Sequence, residues 1–175
     1  MSADIVYSQG PLRASFVYSS WRNHAIALVS GLGLSPFLGQ SLAGGQTFVA
    51  RTQDIFGLSA LYRATPHLDL HGVLTQVILS TQTQSATMRT AELGADYHVT
   101  AANTVTLGGY LSWLSGTRDA ELGVGDVYVL SKRTVVYAQV TCQHADGVGN
   151  AAMPLLAPPD SPNQTAFRIG LHHFF

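Results

Sequence analysis

The chain has 175 residues, enough for one domain with a sizeable core, yet Asp, Glu, Lys and Arg supply only 11% of them, against roughly 25% in soluble domains. A net charge of −1 argues against the global field of a nucleic-acid binder, and a lone cysteine, Cys142, excludes an intrachain disulfide or a cysteine metal cluster. Mean hydropathy is +0.18, but the most apolar stretch, residues 25–39, is broken by Gly31, Gly33 and Pro36, too short for a transmembrane helix.

Alternation of apolar and polar residues is the main signal. It predicts nine strands, at about 3–9, 12–20, 53–63, 67–79, 89–99, 104–114, 123–130, 134–144 and 164–175. Several come close to the ~9–11 residues that cross a bilayer obliquely. Short turns follow Ser8, Arg63, Val99 and Leu130, while longer connections cover 21–52, 80–88, 115–122 and 145–163. Tyr7, Tyr62, Tyr97 and Tyr128 each stand just before a short turn. Short turns on one side, long loops on the other and a tyrosine belt are the layout of an outer-membrane β-barrel. The segment 21–52 is either one extracellular loop or holds an extra hairpin around 25–30 and 46–51. The N-terminal Met1-Ser2-Ala3-Asp4-Ile5 lacks the basic and apolar regions of a signal peptide, so an exported protein would here be mature or a fragment.

Period 2 assigns the faces. In 89–99, Ala91, Leu93, Ala95, Tyr97 and Val99 share one face, and Thr90, Glu92, Gly94, Asp96 and His98 the other. Facing Glu92 and Asp96 to lipid would cost up to a few kcal/mol each, so the first face reads outward. Val105, Leu107, Gly109, Leu111 and Trp113 read outward in the next strand; Leu12, Ala14, Phe16 and Tyr18, and Val136, Ala138, Val140 and Cys142, do so in theirs. Asp126 conflicts with Tyr128, two residues on: it lies near an interface or in a protein contact, or a bulge shifts the register.

The inward charged candidates are Arg13, Arg63, Asp69, Glu92, Asp96 and Arg168. Such charges set the ion selectivity of a pore, or they pair across adjacent strands and stiffen the wall. His67 and His71 have a metal-binding spacing only on a helix, and His172 and His173 point to opposite faces of a strand. Gly39-Gln40-Ser41-Leu42-Ala43 falls short of a nucleophile elbow, and no Ser/His/acid set is marked around Ser112 and His144. No catalytic, metal or cofactor site is therefore expected. The rival readings are a small outer-membrane barrel enzyme acting on lipid, which needs such a set at one rim, and a soluble β-barrel binder, which needs the opposite faces.

Three stretches resemble the trimeric general diffusion porins of beta-proteobacteria: Tyr7-Ser8-Gln9-Gly10-Pro11-Leu12, then Tyr128-Val129-Leu130-Ser131-Lys132-Arg133-Thr134-Val135-Val136-Tyr137-Ala138, and the terminal strand from Phe167 to Phe175, with His172 where that family has arginine. The resemblance implies an all-β, antiparallel transmembrane β-barrel, with residues 1–175 as one porin-type domain supplying the C-terminal half, about nine of sixteen strands. It also implies a bacterial outer-membrane location, a homotrimer surrounded by outer-membrane lipid, passive diffusion of small hydrophilic solutes and ions, and no nucleic-acid partner. Leu171, His173 and Phe175 would form the terminal signal read by the barrel-assembly machinery. Deleting Phe175 is then expected to lower outer-membrane levels in cells while detergent refolding in vitro proceeds. Normal membrane levels of the shortened chain would remove the terminal signal from the reading.

Overall fold

In the structure, a computed structural model, residues 1–28, 36–42, 46–147, 150–153, 156–157 and 159–175 are described. Nine strands form one antiparallel sheet in chain order: β1 Ser2–Gln9, β2 Leu12–Ile26, β3 Phe48–Thr65, β4 Leu68–Ser80, β5 Ser85–His98, β6 Asn103–Leu114, β7 Thr117–Ser131, β8 Thr134–Asp146 and β9 Asn163–His173. Among the described residues β1 and β9 do not pair, and both are edges.

The alternation locates every strand but misses several ends. Ser115 and Gly116, at φ 49° and 85°, make a two-residue hairpin turn of the kind whose twist suits paired strands. Residues 117–122 therefore belong to β7 rather than to a long loop. Their charges, Arg118, Asp119 and Glu121, hid an alternation that continues unbroken in the pairing with β6. The β4–β5 connection shrinks likewise, from 80–88 to the four residues between Ser80 and Ser85. The two ends of the segment 21–52 are strand extensions: His24, Ala25 and Ile26 pair with Ala50, Val49 and Phe48. An extra hairpin running to residue 30 would fall partly outside the described residues.

The two faces differ sharply. Leu93 is 76% exposed and Ile169 71%, whereas Asp69 is 8% exposed and Thr141 7%. With no second layer of sheet or helix, a sheet encloses its polar side chains by curling toward them. The polar face is thus the concave one, the reverse of what a soluble barrel needs. At the long-loop end, loop residues cover part of it. Leu28, Phe37 and Leu42 pack with Phe48, Ala50, Leu79 and Leu114. Leu38 and Gly39 turn a two-rung ladder between Phe37 and Gln40, with N–H···O distances of 3.0 and 2.9 Å. From the other long connection, Ala152 and Met153 reach the same face, where Gln143 and Gln164 accept their N–H groups at 2.9 Å.

The pairing also settles Asp126. The β6–β7 and β7–β8 ladders keep register from Arg118 to Val129. Asp126 therefore shares the outer face with Val124 and Tyr128, near the short-turn rim, where the Asn103 side-chain amide donates to it. Leu107 and Thr106 lie mid-strand on opposite faces, and Thr106 stands opposite Asp96 and Gly125. Leu107→Arg is expected to cost roughly 2–4 kcal/mol in a lipid-facing position. Thr106→Arg, with space over Gly125 and a carboxylate beside it, should be mild. Heat-modifiable migration after refolding into lipid measures both, and equal effects would overturn the face assignment.

Candidate functional site: the polar face of the sheet

Strand register arranges the polar face in rungs of cross-strand neighbours. One rung runs Arg63, Asp69, Asp96, Thr106, Gly125, Gln139, Arg168 across seven strands. Four of the six charged candidates therefore share one line, with arginine at each end and two carboxylates between. Arg13 stands on the next rung, between Ser8 and Leu61, with His71 beyond Leu61. Glu92 stands on a third, with Tyr110, Glu121 and Gln143.

Only some candidates meet. Arg63 Nε lies 3.0 Å from Asp69 Oδ1, and Asp69 Oδ2 lies 3.3 Å from His98 Nε2. His98 Nδ1 in turn contacts Thr104 Oγ1 at 3.0 Å. Asp69 and Asp96 stand directly opposite each other, an arrangement that repels unless cations intervene. Arg63 and His98 serve Asp69, and His71 Nε2 reaches Asp96 at 3.7 Å. The reach of His71 depends on Gly94: a Cβ there would fall 2.3 Å from the His71 ring. Arg13, Glu92 and Arg168 form no ion pair among the described residues.

Some residues on this face were missed by the sequence reading. Asp119 and Glu121 were lost with the misplaced loop, and His71 was weighed only as a metal ligand. His98 and Tyr110 lie on the inward face where the alternation places them, though neither was counted among the charged candidates; the Tyr110 hydroxyl accepts from Gln143 Nε2 at 3.0 Å. His67 lies at the β3–β4 turn, with Nδ1 3.2 Å from the His98 carbonyl. His172 stands opposite Val135, and His173 opposite Thr134, whose hydroxyl it meets at 2.9 Å. Leu171 is on the outer face, and Phe175 lies beyond β9 with its ring 4.8 Å from that of His173.

A one-layer antiparallel sheet, apolar on its convex side and polar on its concave side, has the architecture of a β-barrel wall. Comparison with solved structures agrees. The anion-selective porin from Comamonas acidovorans superposes with a TM-score of 0.75 at 20% identity, over 98% of this chain and 48% of that one. OmpT, an outer membrane protein of Vibrio cholerae, superposes with a TM-score of 0.71, both folded in vitro (12% identity, 98% of this chain, 54% of that one) and expressed in the outer membrane (14%, 98%, 55%). The chain spans about half the length of these proteins. No family model and no curated protein matches the sequence.

The pairing around Asp69 predicts an asymmetry. Arg63→Ala leaves Asp69 opposite Asp96 with only His98 to offset it, whereas Asp69→Ala frees a largely exposed arginine. Arg63→Ala should lower the urea midpoint of the lipid-refolded chain more than Asp69→Ala does. The reverse order would show that Asp69 and Asp96 do not repel.

Proposed function

We propose that this chain is part of the wall of an outer-membrane porin, along whose concave face small hydrophilic solutes and ions diffuse passively. The observation that supports this best is the segregation of faces. An apolar, exposed side runs across all nine strands, and a hydrated side carries Arg13, Arg63, Asp69, Glu92, Asp96 and Arg168 as the groups a passing solute meets. In this reading the apolar side faces outer-membrane lipid, and the barrel assembles through the barrel-assembly machinery into a homotrimer. The terminal residues Leu171, His173 and Phe175 address it there. No reaction and no cofactor are assigned.

The reading requires further strands, since an open edge in lipid leaves backbone groups unpaired at several kcal/mol each. It treats the chain as the C-terminal half of the barrel, with seven or so strands supplied from elsewhere. Two measurements test it. The purified chain should need detergent or lipid to stay dispersed, and a chain soluble without either would overturn the membrane reading. In planar bilayers it should give no uniform conductance of porin size alone and should do so once the complementary strands are present. Reproducible porin-sized steps from the 175 residues alone would overturn the half-barrel reading and mean that the segment 21–52 or self-association completes the wall.

A further inference from the structure

The lipid-facing side has two rims of different chemistry. Tyr7, Tyr62, Tyr97 and Tyr128 mark the short-turn rim. At the opposite rim the register places Arg89, Trp113 and Arg118 side by side on β5, β6 and β7, all on the outer face. Asn103, beside Tyr128, and Trp113 are ten residues apart on β6. At ~3.4 Å per residue and a tilt of ~40–45°, that span rises about 25 Å, the height of the apolar band of an outer-membrane barrel. Val105, Leu107, Gly109 and Leu111 fill the interval. The three residues therefore sit one apolar thickness from the tyrosine belt, at headgroup level.

Both guanidiniums lack a carboxylate partner among the described residues. Arg89 donates only to the neutral Gln76 Oε1, at 3.2 Å. Arg118 stands opposite Asp146, but Asp146 is engaged by His144 at 2.9 Å. A concavity between the two arginines is lined by Thr87, Trp113 and the Ser115–Gly116 turn. The two-residue turn keeps the β6–β7 end of this rim short.

We propose that Arg89, Trp113 and Arg118 form a binding site for the phosphate of an outer-leaflet lipid headgroup. Neighbouring strands are ~4.8 Å apart, so the two arginines flank the indole at about 10 Å between backbones. From there their long side chains can close on a phosphate from both sides. Arginine suits the task because its planar fork donates two hydrogen bonds to phosphate oxygens. The indole of Trp113 holds the adjoining acyl–headgroup boundary, as interfacial tryptophans do. The site rests on the reading that the apolar side faces lipid, and the experiment separates the two.

The full chain carrying Trp21→Phe, so that Trp113 is the single indole, is refolded into phosphatidylcholine vesicles. Quenching of Trp113 by brominated acyl chains is measured first: no quenching would overturn the membrane reading itself. Energy transfer from Trp113 to a trace of dansyl-labelled phosphatidic acid is then compared with transfer to a neutral dansyl lipid. The expected result is an enrichment of the phosphate lipid of at least roughly fivefold, the scale of one arginine's attraction to an anionic headgroup. Arg89→Gln with Arg118→Gln should abolish it while leaving the bromine quenching unchanged. Equal transfer to both lipids, or enrichment that survives the double substitution, would overturn the site. Complete displacement by millimolar inorganic phosphate would overturn the lipid as its ligand.

Discussion

Backbone hydrogen bonding in a medium without water constrains everything else in this molecule. A strand in hydrocarbon must pair on both sides along its length, so the chain forms one ladder from β1 to β9, with register shifts near two short turns, at Arg63/Thr65 and Val129/Ser131, and a skipped pair at Asn23 in the long-loop end of β2. Between these interruptions a side chain's face is fixed by parity. A one-residue slip anywhere would turn apolar residues into the lumen and carboxylates into lipid. The alternation and the ladder therefore enforce each other.

That coupling explains what the sequence made legible. Strand number, order and faces follow from period 2, and each strand's parity is checked by its neighbours. Thus Leu93 and Leu107 fall on one side without any knowledge of pairing. Strand ends are harder, because the signal fades where strands leave the membrane. Beyond the apolar band both faces are polar, so Arg118–Asp119 reads as loop although it is hydrogen-bonded strand. Asp126 was ambiguous for the same reason: near a rim, an outward carboxylate with an amide partner is tolerable, and parity alone cannot say so.

The charged residues of the concave face show a second limit. Period 2 puts Arg63, Asp69, Asp96 and Arg168 on one face, but only the register puts them on one rung. Register depends on turn lengths, and two of the four long connections proved short. The register then separates the charged residues by partner: Arg63, Asp69 and Asp96 have ionic or histidine partners, while Arg13, Glu92 and Arg168 have no ion pair among the described residues. Gly94 supports the same division, since the His71 ring occupies the space a side chain there would fill.

Strand parity also limits what can complete the sheet. Nine strands in an up-and-down order leave β1 and β9 running in the same direction. Another copy of this chain, inserted with the same orientation, presents edges of that same direction, so every seam between copies would be parallel. Parallel pairs are slightly less stable per residue, and bacterial single-chain barrels use even strand numbers, which avoids such seams. An antiparallel seam at both edges requires a complement with an odd number of strands, both of whose edge strands run opposite to β1 and β9. Neither edge carries a proline, and on the outer side β9 presents Phe167, Ile169 and Leu171. Nor does β1 or β9 show the bulge by which soluble sheets commonly block an edge, though each carries one inward charge, Asp4 and Arg168. These edges are suited to being joined, and the direction of their strands states the parity of what joins them.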